Sequence, residues 1–286
     1  MKHVDVVIVG AGFSGLYLMH RCLQANRTAI VLEQGSDVGG TWYWNRYPGA
    51  RCDAESLAYS FSFSSELEQE WAWSERYAPQ PEILDYARHV ADRFGIRPHI
   101  RFNTRVTGAE WNGDDARWTV TTEQGESYSG RHCVMATGCL SVPQLPDIEG
   151  LDSFEGARYQ ASRWPHEPVS FKGQRVGIIG TGSSGIQSIP VIAAEAEHLT
   201  VFQRTPNFSV PAKNSSLDNA WVAAFKANYA AHRHNHRIGN GSGFGDLDIE
   251  PRATVEAPTL FDEVTESEAH ALLEAAWQRG GARFMG

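Results

Sequence analysis

The chain has 286 residues, enough for two domains of ordinary size. Its composition, 42% hydrophobic and 21% charged, is typical of a folded globular protein and excludes disordered, coiled-coil and collagen-like chains. Acidic residues outnumber basic ones by 34 to 25, which gives a net charge of −9. Nucleic acid is therefore not an expected partner, because phosphate backbones are bound by basic surfaces.

The apolar segments are too short for a membrane protein. None reaches the roughly 18 uncharged apolar residues of a membrane span. Asp5 interrupts the apolar start of the chain, which we therefore predict to be a strand and not a signal peptide. The four cysteines show no CxxC spacing and are too sparse for a secreted disulfide scaffold, so we predict free thiols and a cytoplasmic location. They are Cys22, Cys52, Cys133 and Cys139.

A histidine-rich run is the one place where metal-binding residue types cluster. It contains His232, His234 and His236 and is followed by the glycine-rich stretch GNGSGFG. We predict a solvated helix end that leads into a mobile loop, and no metal site.

The chain contains an internal repeat. VVIVGAGFSG (6–15) and VGIIGTGSSG (176–185) match position by position, and each connects a β-branched run through GxGxxG to a helical pattern. In such a turn the glycines permit the bend, the approach of a pyrophosphate and the packing of the helix. The alternative is a doubly wound sheet that binds no nucleotide. The glycines are Gly10, Gly12 and Gly15, then Gly180, Gly182 and Gly185.

The residues after the second strand of each repeat distinguish the two nucleotides. Glu33 follows Gly10 by 23 residues, where an acid binds the free ribose hydroxyls of FAD. The equivalent position of the second repeat holds Gln203, followed by Arg204, whose guanidinium suits the 2′-phosphate of NADPH. We therefore predict FAD at the first site and NADPH at the second.

The predicted fold is α/β, with two Rossmann-like dinucleotide-binding domains. Residues 1–141 form the FAD-binding domain, and 142–286 form the linker and the NADP-binding domain, with a helical region over 215–286. The first domain includes a helix over 79–95 and a strand and hairpin run that returns to the sheet. Near the end, Thr265 and Glu268 form a capping box for a helix that stops at Gly280.

Two longer patterns point to a family. GGTWYWNRYPGARCD (39–53) and FEGARYQASRWP (154–165), together with the two GxGxxG turns, resemble the type I Baeyer–Villiger monooxygenases, and the phenylacetone monooxygenase branch most closely. The family pattern F-x-G-x-x-x-H-x-x-x-W-P or -D is matched by Phe154, Gly156, Trp164 and Pro165. Gln160 stands where the family has His, which puts the coupling of NADP-domain movement to catalysis in question.

The resemblance implies the reaction. NADPH would reduce FAD, O2 would give a flavin C4a-peroxide, and attack on a ketone would leave an ester or lactone. Asp53 matches the family's catalytic Asp, which holds an Arg beside the reacting centre, and the match of the whole 39–53 stretch favours this role over that of a turn carboxylate beside Arg51.

The resemblance also supplies further site residues. The flavin site would include Gly40, Thr41, Trp42, Asp53, Tyr59 and Val106. The NADP site would include Ser183, Ser184, Gln187 and Thr205 in addition to the glycines and Arg204. Simple core packing is the alternative for Trp42.

Members of the family are nearly twice as long and supply the catalytic Arg from later chain. We therefore expect this sequence to be an N-terminal portion, with both domains incomplete, an unknown partner for the other half and no turnover in isolation. The alternatives are a flavin N- or S-monooxygenase, or a fragment that binds FAD without turnover.

Overall fold

The computed structural model describes residues 2–207, 209–239 and 264–279. They belong to two compact units, between which the chain passes several times. The first unit comprises Met1–Ala50, Gln80–Arg175 and Pro190–His198, and the second comprises Arg51–Pro79, Val176–Ile189 and Leu199–Gly286. The predicted boundary at residue 141 separates an FAD-binding from an NADP-binding domain, and it stays a prediction.

The first unit is built on a six-stranded sheet in the order β3-β2-β1-β6-β5-β4. β1, β2, β3 and β6 run parallel, whereas β5 is antiparallel to both β4 and β6. Helix α1 (Phe13–Gln24) connects β1 to β2, so the chain begins with a βαβ unit. The strands are β1 (Lys2–Val9), β2 (Ala29–Leu32), β3 (Ile100–Arg101), β4 (Val106–Asn112), β5 (Arg117–Thr122) and β6 (Ser127–Met135). The predicted strand and hairpin run is confirmed, because β4 to β6 return to β1.

Burial explains why these segments fold as they do. Val7 and Ile8 are fully buried in β1, as expected for a strand covered on both faces. The helix predicted over 79–95 is present as α4 (Gln80–Arg93), and it buries the apolar residues spaced along one face, including Ile83 and Val90. Gly95 follows with a φ of +62°, the left-handed conformation that ends many helices. Two shorter helices precede α4, α2 (Thr41–Trp44) and α3 (Ser65–Glu70).

The second repeat has the same order of elements as the first. β7 (Arg175–Ile179) is followed by α5 (Ser183–Ala193) and β8 (His198–Phe202), and β7 and β8 form a two-stranded sheet. Three further helices follow, α6 (Asn219–Ala227), α7 (Tyr229–Gly239) and α8 (Glu266–Arg279). The predicted capping box of α8 is confirmed, because Thr265 N–H donates to Glu268 at 2.9 Å and Glu268 N–H donates to the Thr265 hydroxyl at 3.4 Å. The predicted stop at Gly280 lies outside the described residues.

The histidine-rich run differs from the prediction. His232 lies on α7, is buried and stacks on Phe225 with ring centroids 4.3 Å apart. Burial lowers the pKa of His232, which favours the neutral imidazole. The prediction of a solvated helix end was therefore wrong at His232, because the apolar faces of α6 and α7 pack here, and it holds at the exposed His234. The side chain of His236 and the glycine-rich stretch from residue 240 lie outside the described part of the chain.

All four cysteines are free thiols, of which Cys139 is exposed. In the described ranges, no helix is long and apolar enough to cross a membrane. A search of the same residues found no group of three or more His, Cys, Asp or Glu that could hold a metal ion. The predicted cytoplasmic location stays a prediction.

Candidate functional site

The first GxGxxG turn brings backbone atoms closer together than side chains would allow. A Cβ on Gly10, which has a φ of +105°, would lie 2.6 Å from the Ala136 carbonyl oxygen. A Cβ on Gly15 would lie 1.9 Å from the Gly10 carbonyl oxygen, so only glycine lets α1 pack on the turn. Gly12 precedes α1 and has no side chain to cap it. The first N–H groups of α1 can therefore bind an anion such as a pyrophosphate.

Glu33 connects the end of β2 to this turn. Its side chain is buried, and its two oxygens accept from the N–H groups of Ala11 and Gly35, each at 2.6 Å. A carboxylate oxygen can accept two hydrogen bonds, so each oxygen can still accept a ribose hydroxyl. The predicted ribose contact stays a prediction, and the bonds to the backbone are a second role that the sequence analysis missed.

The predicted flavin residues of the GGTW segment lie beside the first turn. A Cβ on Gly40, which has a φ of +55°, would lie 2.8 Å from the Gly12 Cα. Thr41 begins α2 and is half-buried, and Trp42 is buried with its carbonyl accepting from the side-chain amide of Gln80. The structure therefore brings Gly40, Thr41 and Trp42 together with the first GxGxxG turn.

Val106 and Tyr59, which are also predicted for the flavin site, lie in different units. Val106 begins β4, and its side chain packs against the core cluster of Val7, Ile30, Leu32, Val120 and Tyr128. Tyr59 belongs to the second unit, where it is half-buried and its N–H donates to the Glu55 carbonyl at 2.9 Å. Their contacts with FAD stay predictions.

The second GxGxxG turn repeats the first in its backbone bonds. Gly180 N–H donates to the Phe202 carbonyl at 2.9 Å, just as Gly10 N–H donates to the Leu32 carbonyl at 2.8 Å. A Cβ on Gly185 would lie 2.4 Å from the Gly180 carbonyl oxygen. The sequence repeat is therefore also a structural repeat.

The start of α5 is open to a ligand. No described atom lies within 4 Å of a Cβ placed on Gly182. Ser183 is exposed, and Ser184 is half-buried with its carbonyl accepting from the Ser188 hydroxyl at 2.8 Å. These positions suit backbone and hydroxyl contacts to a phosphate, as predicted for NADP.

The residues after β8 differ from their counterparts after β2. Gln203, at the position equivalent to Glu33, donates through Nε2 to the Thr181 hydroxyl at 2.9 Å. Arg204 and Thr205 are exposed, and the guanidinium of Arg204 makes no hydrogen bond or ion pair with any described residue. Its charge is thus available to a phosphate, and its predicted contact with the 2′-phosphate stays a prediction.

Asp53 has one defined side-chain partner. Its side chain is exposed, and Oδ1 accepts a hydrogen bond from Nε2 of Gln187 at 3.0 Å. Arg51, the nearest cation in the sequence, instead pairs with Glu75 at 3.1 Å. The Asp53 carboxylate thus keeps most of its acceptor capacity for a further cation.

The segment with the Trp-Pro ending is polar at the position where the family has His. Gln160 is half-buried, and its Nε2 donates to the Gln144 carbonyl at 2.9 Å. Trp164 packs near Tyr159 and Phe171, with ring centroids 5.3 and 6.1 Å away. Trp164 therefore packs within an aromatic group of the first unit.

Comparison with known proteins places these features in a family. Residues 7–238 match the family model described as pyridine nucleotide-disulphide oxidoreductase. The chain is 45% identical over 232 residues to the 2-oxo-Δ3-4,5,5-trimethylcyclopentenylacetyl-CoA monooxygenase of Pseudomonas putida, covering 79% of this chain and 43% of the relative. It is 41% identical over 281 residues to a Baeyer–Villiger monooxygenase of Pseudooceanicola batsensis, covering 98% of this chain and 50% of the relative.

A solved structure agrees over 99% of this chain. The chain superposes on an oxidized steroid monooxygenase bound to NADP with a TM-score of 0.89 and 52% identity, covering 99% of this chain and 52% of that one. The chain thus spans about half the length of the proteins it matches. It belongs to the pyridine nucleotide-disulphide oxidoreductase family, and its resemblance to the type I Baeyer–Villiger monooxygenases is confirmed.

Proposed function

We propose that the protein carrying this chain is a flavin-dependent Baeyer–Villiger monooxygenase. It would convert a ketone, O2, NADPH and a proton into an ester or lactone, water and NADP+. The observation that carries the proposal is the fit of the first GxGxxG turn and Glu33 to one dinucleotide, together with a second, differently equipped copy of the same turn. Relatives named as monooxygenases support the reaction class.

The residues of the first repeat fit FAD. A Cβ at Gly10, Gly15 or Gly40 would collide with backbone, so these positions keep the turn compact and free of side chains. The N–H groups at the start of α1 would bind the pyrophosphate. Glu33 would accept from the ribose hydroxyls while it keeps its two bonds to backbone N–H groups.

The residues of the second repeat fit NADPH. Gly182 leaves room for the pyrophosphate, and the exposed Ser183 lies at the start of α5. Arg204 presents a guanidinium that is free of described partners, where a carboxylate would repel a 2′-phosphate. A neutral Gln203 at the position of Glu33 supports the preference for NADPH over NADH.

The chain's own contribution to the reaction is to orient groups and to exclude water. A bound flavin supplies the activation of O2 and the transfer of one oxygen atom to the ketone. Asp53 would hold a guanidinium beside the reacting centre, and its exposed carboxylate, held by Gln187 at one oxygen, has the acceptors for that bond. The resemblance puts this Arg outside the present sequence. The buried Trp42 would shield a flavin at the first GxGxxG turn from water.

The test begins with the purified protein. Bound flavin is measured by absorbance, NADPH oxidation is followed with and without an aryl or cyclic ketone, and ester is detected by gas chromatography. Ester formed in proportion to NADPH supports the proposal. Oxygenation of an amine or sulfide without ester would favour an N- or S-monooxygenase instead. Asp53→Asn should lower ester yield and raise hydrogen peroxide release, whereas Asp114→Asn in the exposed β4–β5 turn should change neither.

A further inference from the structure

The segment that carries Asp53 pairs with the backbone of a neighbouring segment along one of its two edges. Arg51 forms an antiparallel bridge with Pro79, and Cys52 N–H donates to the Ala78 carbonyl at 3.1 Å. In this kind of bridge the N–H and C=O of the central residue point away from the neighbouring strand. The backbone groups of Arg51 must therefore find partners on the other side.

Gln187 provides those partners with its side-chain amide. Its Oε1 accepts from Arg51 N–H at 3.2 Å, and its Nε2 donates to the Arg51 carbonyl at 3.1 Å. The second N–H of the same Nε2 donates to Oδ1 of Asp53 at 3.0 Å. One amide thus pairs with Arg51 as a neighbouring strand would and fixes the Asp53 carboxylate as well.

Gln187 lies on the helix of the second GxGxxG turn. It is two residues beyond Gly185 and one helical turn beyond Ser183, so Ser183 and Gln187 share a face of α5. A ligand that orders the start of α5 therefore also orders the residue that holds Asp53.

A second connection reaches Arg51 from the chain that follows β8. Glu75 pairs with Arg51 at 3.1 Å and accepts from the side-chain amide of Asn214 at 2.5 Å. Asn214 also accepts from Tyr77 N–H at 3.0 Å. The chain that follows β8 begins with Gln203 and Arg204, so both ends of the predicted NADP site are joined to the Asp53 segment.

We infer that Gln187 is a positioning residue that couples occupancy of the NADP site to the placement of Asp53. This assigns to Gln187 a role other than the direct NADP contact predicted from the family, and it rests on the proposed function for the ligand involved. Coupling of this kind is reciprocal, so NADP+ stabilises the Asp53 segment as much as the ordered segment favours NADP+.

The test is hydrogen exchange at the Arg51 amide, resolved in peptides that cover residues 50–54 of the protein. Gln187→Leu removes all three bonds, and exchange should become about fivefold to tenfold faster. NADP+ should slow the exchange in the unsubstituted protein and lose this effect in Gln187→Leu. The KM for NADPH should change less than about threefold, while a larger share of the NADPH oxidised should yield hydrogen peroxide instead of ester.

Two further variants make the result decisive. Gln187→Glu keeps the size of the side chain but cannot donate to Asp53 or to the Arg51 carbonyl, so in this variant too NADP+ should no longer slow the exchange. It keeps the inference testable if the leucine variant fails to fold. Gln278→Leu on α8, where the exposed amide donates to Glu274 at 2.7 Å, should behave like the unsubstituted protein. Equal exchange at Arg51 in all forms, or no response to NADP+ in the unsubstituted protein, would overturn the inference. An absence of ester with the expected exchange pattern would instead reject the proposed reaction and leave the coupling intact.

Discussion

Glu33→Ala is expected to destabilise the protein even when no flavin is bound. The usual expectation for this acid is a loss of ribose binding alone. Here the carboxylate also accepts from the N–H groups of Ala11 and Gly35, both at 2.6 Å, in a buried place where the side chain is 5% exposed. Alanine would leave both N–H groups without an acceptor.

The size of the effect follows from those two bonds. A buried backbone N–H left without a partner costs about 1–3 kcal/mol, so two cost about 2–6 kcal/mol in unfolding free energy. Glu33→Gln keeps one acceptor oxygen but turns an NH2 group towards the other N–H, so about half of this loss is expected. Loss of the ribose contacts would weaken the binding of FAD by about 1–3 kcal/mol.

The assay is chemical unfolding of flavin-free protein, followed by flavin titration of each variant. The order of stability should be the unsubstituted protein, then Glu33→Gln, then Glu33→Ala. Glu123→Ala, in the exposed turn between β5 and β6, is the matched control and should stay within about 0.5 kcal/mol of the unsubstituted protein. If flavin-free Glu33→Ala were as stable as this control, the reasoning from the backbone bonds would be refuted.

Three other outcomes are expected. Gly15→Ala should cost about 3 kcal/mol or more in unfolding free energy and abolish flavin binding, since its Cβ would lie 1.9 Å from a carbonyl oxygen. Gly113→Ala, whose Cβ would lie 4.0 Å from Trp111 Nε1, is the control in thermal unfolding, and equal melting temperatures of the two variants would contradict the prediction. Arg204→Ala should raise the KM for NADPH at least about tenfold and that for NADH much less, and equal increases would exclude a phosphate contact. Burial raises the pKa of Cys52 to about 11, which leaves roughly 0.1% thiolate at pH 8. Iodoacetamide should therefore label the exposed Cys139 first, as detected by mass spectrometry, and faster labelling of Cys52 would contradict this.

The features that sequence predicted well are local ones. A GxGxxG turn brings residues only five positions apart into contact. The short distance of 1.9 Å between a Cβ placed on Gly15 and the Gly10 carbonyl oxygen is a property of that turn alone. The helix at Gln80–Arg93 and the capping box at Thr265 likewise depend on neighbours within one or two helical turns. The spacing of residues in such patterns determines the local backbone structure, so these elements and the two repeats could be predicted from the sequence.

The histidine-rich run shows where local patterning fails. The polar neighbours of His232 predict exposure, yet the ring stacks on Phe225 from the preceding helix. Which face of α7 is buried depends on how α6 and α7 pack, and nothing within the run itself specifies that packing. The polar composition of the run therefore did not predict the burial of His232.

The candidate site divides along the same line. The glycine positions were predictable because the backbone of one turn requires them, and Glu33 was predictable from its spacing after Gly10. The bonds of Gln187 to Arg51 and Asp53 instead join residues 136 and 134 positions apart. The only signal in the sequence was an amide two residues after the last glycine of GxGxxG, and an amide there is equally compatible with a nucleotide contact. The bridge of Arg51 to Pro79 supports the proposed positioning role, since it leaves the N–H and the C=O of Arg51 facing the same way, whereas the NADP contact of Gln187 stays a prediction. An amide side chain is the one kind of group that can satisfy both at once and still donate to a carboxylate, so the identity of residue 187 follows from the backbone of residue 51.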